Sequence, residues 1–264
     1  MHPSMSAPAE FAVSKKKYSI LLPTYNERKN LPILVWLMME YLKELAHPWE
    51  IVIIDDSSPD DTLEAAQQLQ AIYGKEKVVV CSRPAKLGLG TAYLYGFRHS
   101  TGDFIICMDA DFYHHPKYIP QLIKKQFERN AHIVIGSRYL PGAGIHEWSR
   151  KRRLISFTAN YISRTFVLGS NVSDLTNAYR MYQRSAFATL IGMCTSKGYS
   201  FQTEIILKAA DLNLIIDEIP IRCIDRVYGT SKLSLGDIKE YVSLLITAFL
   251  NIKSSTHGNC SVPT

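Results

Sequence analysis

Short apolar runs alternate with helix-like patterns over the first two thirds of the chain. The apolar runs predict buried strands at residues 18–22, 51–54, 78–80, 104–108 and 133–136. Between them, the spacing of apolar positions predicts helices over residues 30–45, 60–72, 90–99 and 119–129. Asn30 is the expected N-cap of the first helix, and Asp60 or Asp61 that of the second. This alternation predicts an α/β fold with a mostly parallel sheet flanked by helices.

The pattern changes after Arg138. A glycine-punctuated loop and a basic cluster at residues 150–153 precede an expected amphipathic helix over residues 154–168 with a broad aromatic face. Further helices are predicted at 201–210 and 235–252, and a strand at 214–216. Ser243, Thr247 and Asn251 share one face of the last helix, which is therefore amphipathic rather than membrane-spanning. We expect one domain over residues 18–253, with a flexible arm at 1–17 and a flexible tail at 254–264.

Composition narrows the class of partner. The 264 residues carry 30 Lys and Arg against 24 Asp and Glu, a net charge of +6. A mildly basic surface of this kind fits anionic partners such as nucleotides or lipid phosphates, and it is too weak to indicate nucleic acid. The five cysteines are scattered without a C-x-x-C pair, which favours a reducing compartment over a disulfide framework or a zinc site.

Acidic residues follow several of the predicted strands. Asp55 and Asp56 come directly after the second strand, and Asp109 and Asp111 form a D-x-D after the fourth. Ligands of open α/β sheets bind at the carboxyl ends of the strands. Two carboxylates near one point suit Mg²⁺ or Mn²⁺, hard cations that bridge to substrate phosphates. These features predict a metal-assisted phosphate site.

Other motifs carry less chemistry. The chain has no G-x-x-x-x-G-K-[ST] sequence to cradle phosphates. Gly88 and Gly90 begin like a dinucleotide-binding fingerprint, but the third glycine of that motif is missing. We therefore interpret this segment as a loop-to-helix turn near a bound nucleotide. His114 and His115 are adjacent on an extended segment and point in opposite directions, so a structural role is favoured over zinc binding.

Several segments together carry a family resemblance. The D-x-D and Asp55-Asp56 segments, with Leu-Pro-Thr-Tyr-Asn-Glu at 22–27, resemble inverting glycosyltransferases of the GT-A type. Five more segments narrow the resemblance to the dolichyl-phosphate mannosyltransferases, over about residues 18–250. They are Lys-Leu-Gly-Leu-Gly-Thr-Ala at 86–92, His-His-Pro at 114–116, Gly-Ser-Arg-Tyr at 136–139, Ser-Asp-Leu-Thr at 173–176 and Asp-Arg-Val-Tyr-Gly-Thr-Ser-Lys at 225–232.

The resemblance implies a GT-A-like, Rossmann-type fold and an activity. The family transfers mannose from GDP-mannose to dolichyl phosphate at the cytosolic face of the endoplasmic reticulum. Its product serves N-glycosylation, O-mannosylation and GPI-anchor synthesis. Anchorless members imply a small membrane subunit as a tether; alternatively or in addition, the helix at 154–168 lies in the membrane interface.

The resemblance also implies residue roles. The base and ribose of the donor would be held by Pro23, Tyr25, Glu27, Ile54 and Asp56. Asp109 and Asp111 would bind the metal and diphosphate, with Ala110 against the nucleotide. Cationic contacts to the donor diphosphate or the lipid phosphate would come from Arg138, Arg226 and Lys232, and the acceptor phosphate would also meet Arg152 and Ser156. Asp111, Arg138 and Arg226 are the expected catalytic residues.

Four positions depart from the family pattern. Ser57 and Asp61 replace glycines. If either glycine has a positive φ, the residue there is strained by about 1 kcal/mol, although aspartate tolerates the left-handed conformation better. Tyr113 stands where some members place an amide near the metal. Asn177 replaces a glycine after Leu-Thr, a site that asparagine can fill in the left-handed conformation.

An acceptor phosphate, with a second pKa of about 6, is already largely dianionic at neutral pH and needs no general base. Glu204 is then expected to order the acceptor loop rather than to act as a base. Two alternatives remain at this point: a UDP-glucose-dependent polyprenyl-phosphate glucosyltransferase, and a non-catalytic nucleotide-binding module.

Overall fold

A mostly parallel sheet lies between two layers of helices in the computed structural model, which describes residues 15–145, 154, 156, 158, 160–164, 172–224, 228 and 235–257. The strands are β1 (Tyr18–Thr24), β2 (Trp49–Asp55), β3 (Val78–Ser82), β4 (Phe104–Cys107), β5 (Ile133–Ser137), β6 (Gly144–Ile145), β7 (Arg180–Gln183), β8 (Ile216–Pro220) and β9 (Arg222–Cys223). The helices are α1 (Leu31–Leu42), α2 (Thr62–Tyr73), α3 (Leu89–His99), α4 (Ile119–Arg129), α5 (Arg184–Met193), α6 (Phe201–Asp211) and α7 (Leu235–His257), and a 3₁₀ turn spans Pro116–Tyr118.

The main sheet has seven strands in the order β3-β2-β1-β4-β7-β5-β8, and β6 pairs with β9 in a small second sheet. All pairs are parallel except those of β7, which runs antiparallel between β4 and β5. Strands covered on both faces are apolar throughout, which is why β1, β2 and β4 were readable from their sequence. The fold predicted from the sequence is therefore confirmed, including its mostly parallel sheet.

The core has two parts, one on each face of the sheet. Helices α1, α2 and α4 cover one face, and α3, α5 and α6 cover the other. Alternation along β1 supplies both parts: Ile20 and Leu22 pack on the first, and Leu21 packs on the second. The carboxyl ends of β1, β2 and β4 meet at one edge between these layers.

Several boundary predictions need correction. Asn30 stands at the N-cap of α1, but its backbone is helical, with φ of −84° and ψ of −41°, and its side chain makes no capping hydrogen bond. Its Nδ2 donates instead to Glu27 Oε2 at 2.6 Å. At α2 the N-cap residue is Asp61, yet the carboxylate that accepts from the Thr62 N–H belongs to Asp60. The helix predicted to reach residue 45 ends at Leu42.

Two larger differences lie in the last third of the chain. The predicted strand at 214–216 is instead β8 at Ile216–Pro220, where Asp217 and Glu218 hide the strand pattern. Strand β7 was not predicted, because its four residues begin with Arg180 and end with Gln183. The described residues between 154 and 164 are helical, as expected. Over the described part of the chain, no helix combines the length and hydrophobicity needed to cross a membrane.

Candidate active site

An open pocket lies at the carboxyl ends of β1, β2 and β4. Most residues predicted for the donor line it: Pro23, Tyr25, Glu27, Asp56, Asp109, Ala110 and Asp111. Its wall also includes residues that the sequence did not single out for the site, namely Gly198, Tyr199 and Asp237. The parallel register brings these segments to one edge, since Thr24 pairs with Asp55 and Leu21 with Cys107. The sheet therefore assembles the predicted donor residues in one place.

The pocket wall at the carboxyl ends of β1 and β2 contains charged side chains and an aromatic ring. Asp56 accepts from Arg83 Nε at 2.6 Å and from Nη2 at 2.5 Å, a two-point contact between buried side chains. Burial raises the pKa of Asp56 and outweighs the opposing effect of Arg83. Lys86 Nζ lies 5.1 Å from the centre of the Tyr25 ring. This wall offers a carboxylate, an aromatic face and a cation to a planar, polar ligand.

The opposite wall is the D-x-D loop that follows β4. Asp109 and Asp111 both line the pocket, with Ala110 buried between them. The Asp109 side chain is 32% exposed. Phe112 adopts a left-handed backbone conformation with φ of 64°, and the Tyr113 N–H donates to Asp111 Oδ1 at 3.2 Å. This sharp turn presents both carboxylates to the same cavity.

His114 has the structural role that the sequence favoured. Its ring is buried, and Nδ1 accepts from the main-chain N–H of Asp109 at 3.0 Å. His115 lies on the other side of the chain, where its ring accepts from the Lys117 N–H. Among the described residues, no three His, Cys, Asp or Glu side chains converge as a metal site. The protein thus supplies two carboxylate ligands at most from the described part of this loop.

Arg138 is not among the described residues that line this pocket. Its Nε and Nη2 donate to the two oxygens of the buried Asp174 at 2.6 and 2.7 Å. Nη1 donates to Tyr113 Oη at 3.0 Å, and Nη2 also reaches Thr176 Oγ1 at 2.7 Å. Tyr113 therefore meets Arg138 rather than taking the place of an amide beside the metal. Its burial raises the pKa of the Tyr113 phenol.

Ser156 belongs to the same hydrogen-bonded group as Arg138. Its Oγ lies 2.8 Å from Tyr139 Oη. Asn160 Nδ2 donates to Tyr139 Oη and to Thr176 Oγ1, at 3.1 Å in each case. Since Thr176 also accepts from Arg138, two residues predicted for the acceptor phosphate lie in one network. Sequence analysis missed Asn160 and Tyr139 as members, although Tyr139 follows Arg138 in the quoted Gly-Ser-Arg-Tyr segment.

Ile54 does not line the pocket. Its side chain is fully buried in the core and packs where Gly96 of α3 leaves room, since a Cβ there would lie 2.7 Å from Ile54 Cδ1. The structure thus corrects a side-chain role for Ile54 in the donor pocket. Arg152, Arg226 and Lys232 lie outside the described residues.

Glu204 orders a loop of the pocket. It accepts from Thr195 N at 3.0 Å and from Ser196 N at 2.8 Å. Burial raises the pKa of the Glu204 carboxyl, but these hydrogen bonds lower it by more. The pKa of Glu204 therefore lies below its ordinary value. The loop continues to Lys197, whose carbonyl accepts from Gly90 N at 2.9 Å, and then to the pocket residue Gly198. Glu204 therefore orders a loop, as expected, but this loop reaches the pocket lined by the predicted donor residues, and its assignment to the acceptor stays a prediction.

The departures from the family pattern have mixed outcomes. Ser57 and Asp61 are left-handed, with φ of 53° and 62°, as expected for residues that replace glycines. The expectation for Asn177 is wrong, because its φ is not positive. Its side chain instead makes two buried hydrogen bonds, to His114 and to Gly136. Gly88 begins α3 with φ of 99° and lines the pocket, which confirms the predicted loop-to-helix turn.

Comparisons with known proteins agree with this geometry. The sequence profile described as Glycosyl transferase family 2 matches residues 19–191. The "Polyprenol monophosphomannose synthase" of Mycolicibacterium smegmatis is 36% identical over 225 residues, which cover 84% of this chain and 82% of that protein. The "Undecaprenyl-phosphate mannosyltransferase" of Micrococcus luteus is 35% identical over 226 residues, covering 84% of this chain and 89% of that protein.

Solved structures show the same fold. Glucosyl-3-phosphoglycerate synthase from Mycobacterium tuberculosis, crystallised with Mn²⁺, uridine diphosphate and phosphoglyceric acid, has a TM-score of 0.63 at 16% identity, covering 94% of this chain and 80% of that one. The same enzyme with phosphoglyceric acid alone has a TM-score of 0.64 at 18% identity, covering 88% and 80%. At these identities the likeness shows the fold alone.

Proposed function

The chain belongs to glycosyl transferase family 2 and is a glycosyltransferase, and from that premise we propose that it transfers mannose, with inversion, from GDP-mannose to dolichyl phosphate. Two relatives above 30% identity carry names that specify mannose and a polyprenol phosphate. The motifs at residues 86–92 and 225–232, which resemble the dolichyl-phosphate mannosyltransferases, support this narrower choice over a glucosyltransferase.

One observation carries the proposal: the pocket holds the D-x-D carboxylates and a nucleotide-type wall together. Asp109 and Asp111 face the same cavity as Tyr25, Glu27 and Asp56. We assign Tyr25, Glu27 and Asp56, with Pro23, to the base and ribose of the donor. The diphosphate then extends toward the D-x-D loop, with Ala110 against the nucleotide.

The residues present fit a divalent cation, Mg²⁺ or Mn²⁺. Asp109 and Asp111 offer hard oxygen ligands, and the described residues add no third acidic, histidine or cysteine ligand. That donor set suits an ion that completes its coordination with substrate phosphate oxygens and water. When bound, the cation would supply positive charge against the departing diphosphate.

The chain's own residues have a simple task in this reaction. An acceptor phosphate with a second pKa of about 6 carries its nucleophilic charge at neutral pH, so no side chain has to remove a proton. The protein must bring two anions together and align the attack on the anomeric carbon. The Glu204 carboxylate accepts hydrogen bonds from the main-chain N–H groups of Thr195 and Ser196. This use of the carboxylate is consistent with a reaction that needs no base.

We assign the acceptor phosphate to Arg152 and Ser156. Ser156 is tied to Arg138 through Tyr139, Asn160 and Thr176, so Arg138 shapes this side of the site. Arg226 and Lys232 remain the proposed cationic contacts to the diphosphate or the lipid phosphate. An arginine fork suits such phosphates because it binds two oxygens at once.

A lipid acceptor requires contact with a membrane surface. Two adjoining helices present apolar side chains to solvent, and a hydrogen bond between Ser163 and Tyr241 connects them. On α7 the exposed residues recur every fourth position and are 47% to 59% accessible: Ile238, Val242, Ile246 and Leu250. Among the described helical residues between 154 and 164, the exposed apolar residues are Leu154, Tyr161 and Ile162. This surface supports peripheral binding, which we place at the cytosolic face of the endoplasmic reticulum, with a small membrane subunit as an additional anchor.

In that setting the product, dolichyl phosphate mannose, would be the mannose donor for N-glycosylation, O-mannosylation and GPI-anchor synthesis. The test uses the purified full chain in detergent with dolichyl phosphate and either labelled GDP-mannose or labelled UDP-glucose, with and without Mn²⁺. We expect a mannolipid from GDP-mannose that depends on the metal. Transfer from UDP-glucose alone would establish the glucosyltransferase instead. Nucleotide binding without transfer from either donor would establish a non-catalytic module.

A further inference from the structure

The D-x-D loop is held by a series of side-chain hydrogen bonds that ends on strand β5, two places from β4 in the sheet. His114 and Asn177 form this series, with only 1% and 2% of their surfaces exposed. The Asp109 N–H donates to His114 Nδ1 at 3.0 Å, and His114 Nε2 lies 2.7 Å from Asn177 Oδ1. Asn177 Nδ2 then donates to the Gly136 carbonyl at 2.5 Å. The loop after β4 is thereby connected to the end of β5.

The direction of every hydrogen bond in this series follows from one fixed acceptor. A main-chain carbonyl only accepts, so the amide nitrogen of Asn177 faces Gly136 and its oxygen faces the His114 ring. Nε2 must therefore carry the ring proton. Nδ1 keeps its lone pair and accepts from the Asp109 N–H. This series of hydrogen bonds selects the tautomer of His114 that carries its proton on Nε2.

Two further contacts hold these side chains in place. The His114 ring stacks on Tyr179, with ring centres 4.9 Å apart and planes inclined by 21°. The main-chain N–H of Asn177 donates to Asp174 Oδ1 at 3.2 Å. Because Asp174 also binds Arg138, Asn177 is fixed at its backbone as well as at its amide. A rigid support of this kind is what orients metal ligands from outside the coordination sphere.

The Asn177 side chain is the link between His114 and Gly136. A glycine at this position would have no side chain to reach either of them. We propose that Asn177 is a positioning residue for the divalent-cation site and that it acts through His114 on the main chain of Asp109. The proposal rests on the proposed function, since it requires Asp109 and Asp111 to hold a cation.

The first measurement uses the unaltered protein and needs neither metal nor activity. Nitrogen-15 NMR of the full chain, labelled at histidine, reports which ring nitrogen of His114 carries the proton. His114→Asn identifies the signal by its disappearance. We expect the ring proton on Nε2, with Nδ1 as an acceptor. A proton on Nδ1 would overturn the proposal.

The second measurement is Mn²⁺ affinity in the presence of GDP, followed by electron paramagnetic resonance of the free ion. We expect Asn177→Gly to bind Mn²⁺ about tenfold more weakly, the size expected when a supporting partner of a metal ligand is removed. Asn213→Gly is the matched control, since Asn213 is exposed and left-handed and glycine fits there. Its affinity should equal that of the wild type.

The outcomes separate this proposal from the function it rests on. A wild-type protein that binds no Mn²⁺ with GDP would refute the metal-dependent function, and the role of Asn177 with it. Normal wild-type binding with an unchanged Asn177→Gly would refute the role of Asn177 alone.

A third comparison covers the case in which Asn177→Gly does not fold. His114→Asn places an amide oxygen near the position of Nδ1, whereas His114→Gln places its amide near Nε2. Both variants lose the same ring packing on Tyr179. We expect His114→Asn to bind Mn²⁺ several-fold more tightly than His114→Gln. Equal affinities, or the reverse order, would count against support of the Asp109 main chain.

Discussion

Two buried arginine–aspartate pairs occur near the site, and they differ in what the carboxylate faces. In both pairs Nε and Nη2 of the arginine contact the two oxygens of one aspartate, Arg83 on Asp56 and Arg138 on Asp174. Asp56 lines the pocket, whereas Asp174 is fully buried and also accepts from the main-chain N–H of Asn177. The carboxylate of the first pair borders open space, and that of the second is enclosed by protein.

The pKa directions follow the same division. Burial raises the pKa of Asp56 despite Arg83. Burial acts in the same sense on Asp174, but the charge and hydrogen bonds of Arg138 lower its pKa overall. Two pairs with equal geometry therefore differ in how fully the arginine compensates the carboxylate. The comparison teaches that two arginine–aspartate pairs with the same hydrogen-bond geometry can differ in whether the carboxylate borders a pocket or lies inside the protein.

The largest effect is expected at Asp111, one of the two carboxylates that we propose as ligands of the cation. Asp111→Asn keeps an acceptor for the Tyr113 N–H but removes the negative charge, so metal-dependent turnover should fall by about 10³-fold, as for the loss of a main electrostatic group. The residue lies on a loop, so the fold should survive. Turnover with Mn²⁺ and the melting temperature check this. A folded variant with wild-type turnover would contradict the assignment of Asp111.

Removing one partner from each pair should distinguish the two by stability. Arg138→Met should lower the free energy of unfolding by about 4 kcal/mol, within the range for an uncompensated buried charge. Arg83→Met should cost about 3 kcal/mol or less, because Asp56 borders the pocket and regains water. Denaturant unfolding at neutral pH measures both. Equal losses would remove the distinction between the pairs.

The cost of Arg138→Met should also depend on pH. The pKa of Asp174 is lowered by folding, so its stabilisation is present above the ordinary aspartate value of about 3.9 and is lost as the pH falls through the lowered value. The difference between wild type and Arg138→Met should therefore narrow under acid conditions. A gap that stays constant down to the acid transition would contradict the pairing.

A smaller effect, confined to one substrate, is expected at Arg152. Arg152→Ala should raise the KM for dolichyl phosphate by at least about tenfold, since the 1.5–3 kcal/mol assigned to a hydrogen bond with a charged group corresponds to about 10- to 150-fold. The KM for GDP-mannose should stay within about twofold. Steady-state kinetics with each substrate varied in turn checks the split. Equal changes in both KM values would move Arg152 out of the acceptor site.

The smallest effect on turnover is expected at Glu204. Glu204→Gln should retain kcat within about threefold, far less than the 10²–10⁴-fold loss of a general base. The profile of kcat/KM should rise with pH near the acceptor's second pKa of about 6, in both proteins. A loss of 10²-fold or more with substrate binding unchanged would refute the base-free reaction.

The donor half of the site could be predicted because it is built on strand ends. Asp56, Asp109 and Asp111 follow apolar strands whose parallel pairing forces their carboxyl ends together. The rest depends on side chains that are distant in sequence. Nothing local predicts that Asn160 reaches Tyr139, or that Tyr113 meets Arg138. These contacts arise only once tertiary packing is complete.

Two predictions from the sequence failed for the same physical reason. In each case a buried polar side chain makes hydrogen bonds that the local sequence does not reveal. Arg180 begins β7 fully buried, and its guanidinium donates to the carbonyls of Gln202 and Leu175. A charged residue at that position conceals a strand. Asn177 was expected to replace glycine by its backbone conformation, but its amide is what the fold uses. Ile54 shows the opposite case, since an apolar residue beside an acidic motif serves the core.

The place of β7 in the sheet has a consequence for how the chain reaches this shape. Strands β1 to β4 pair only among themselves until β7 arrives, and β5 finds its partners β7 and β8 more than forty residues later. During synthesis the first four strands can close as a unit while β5 waits unpaired. Such late, distant pairing slows folding and leaves strand edges open to association. The nascent chain should therefore need protection most between the emergence of Ile133 and that of Gln183.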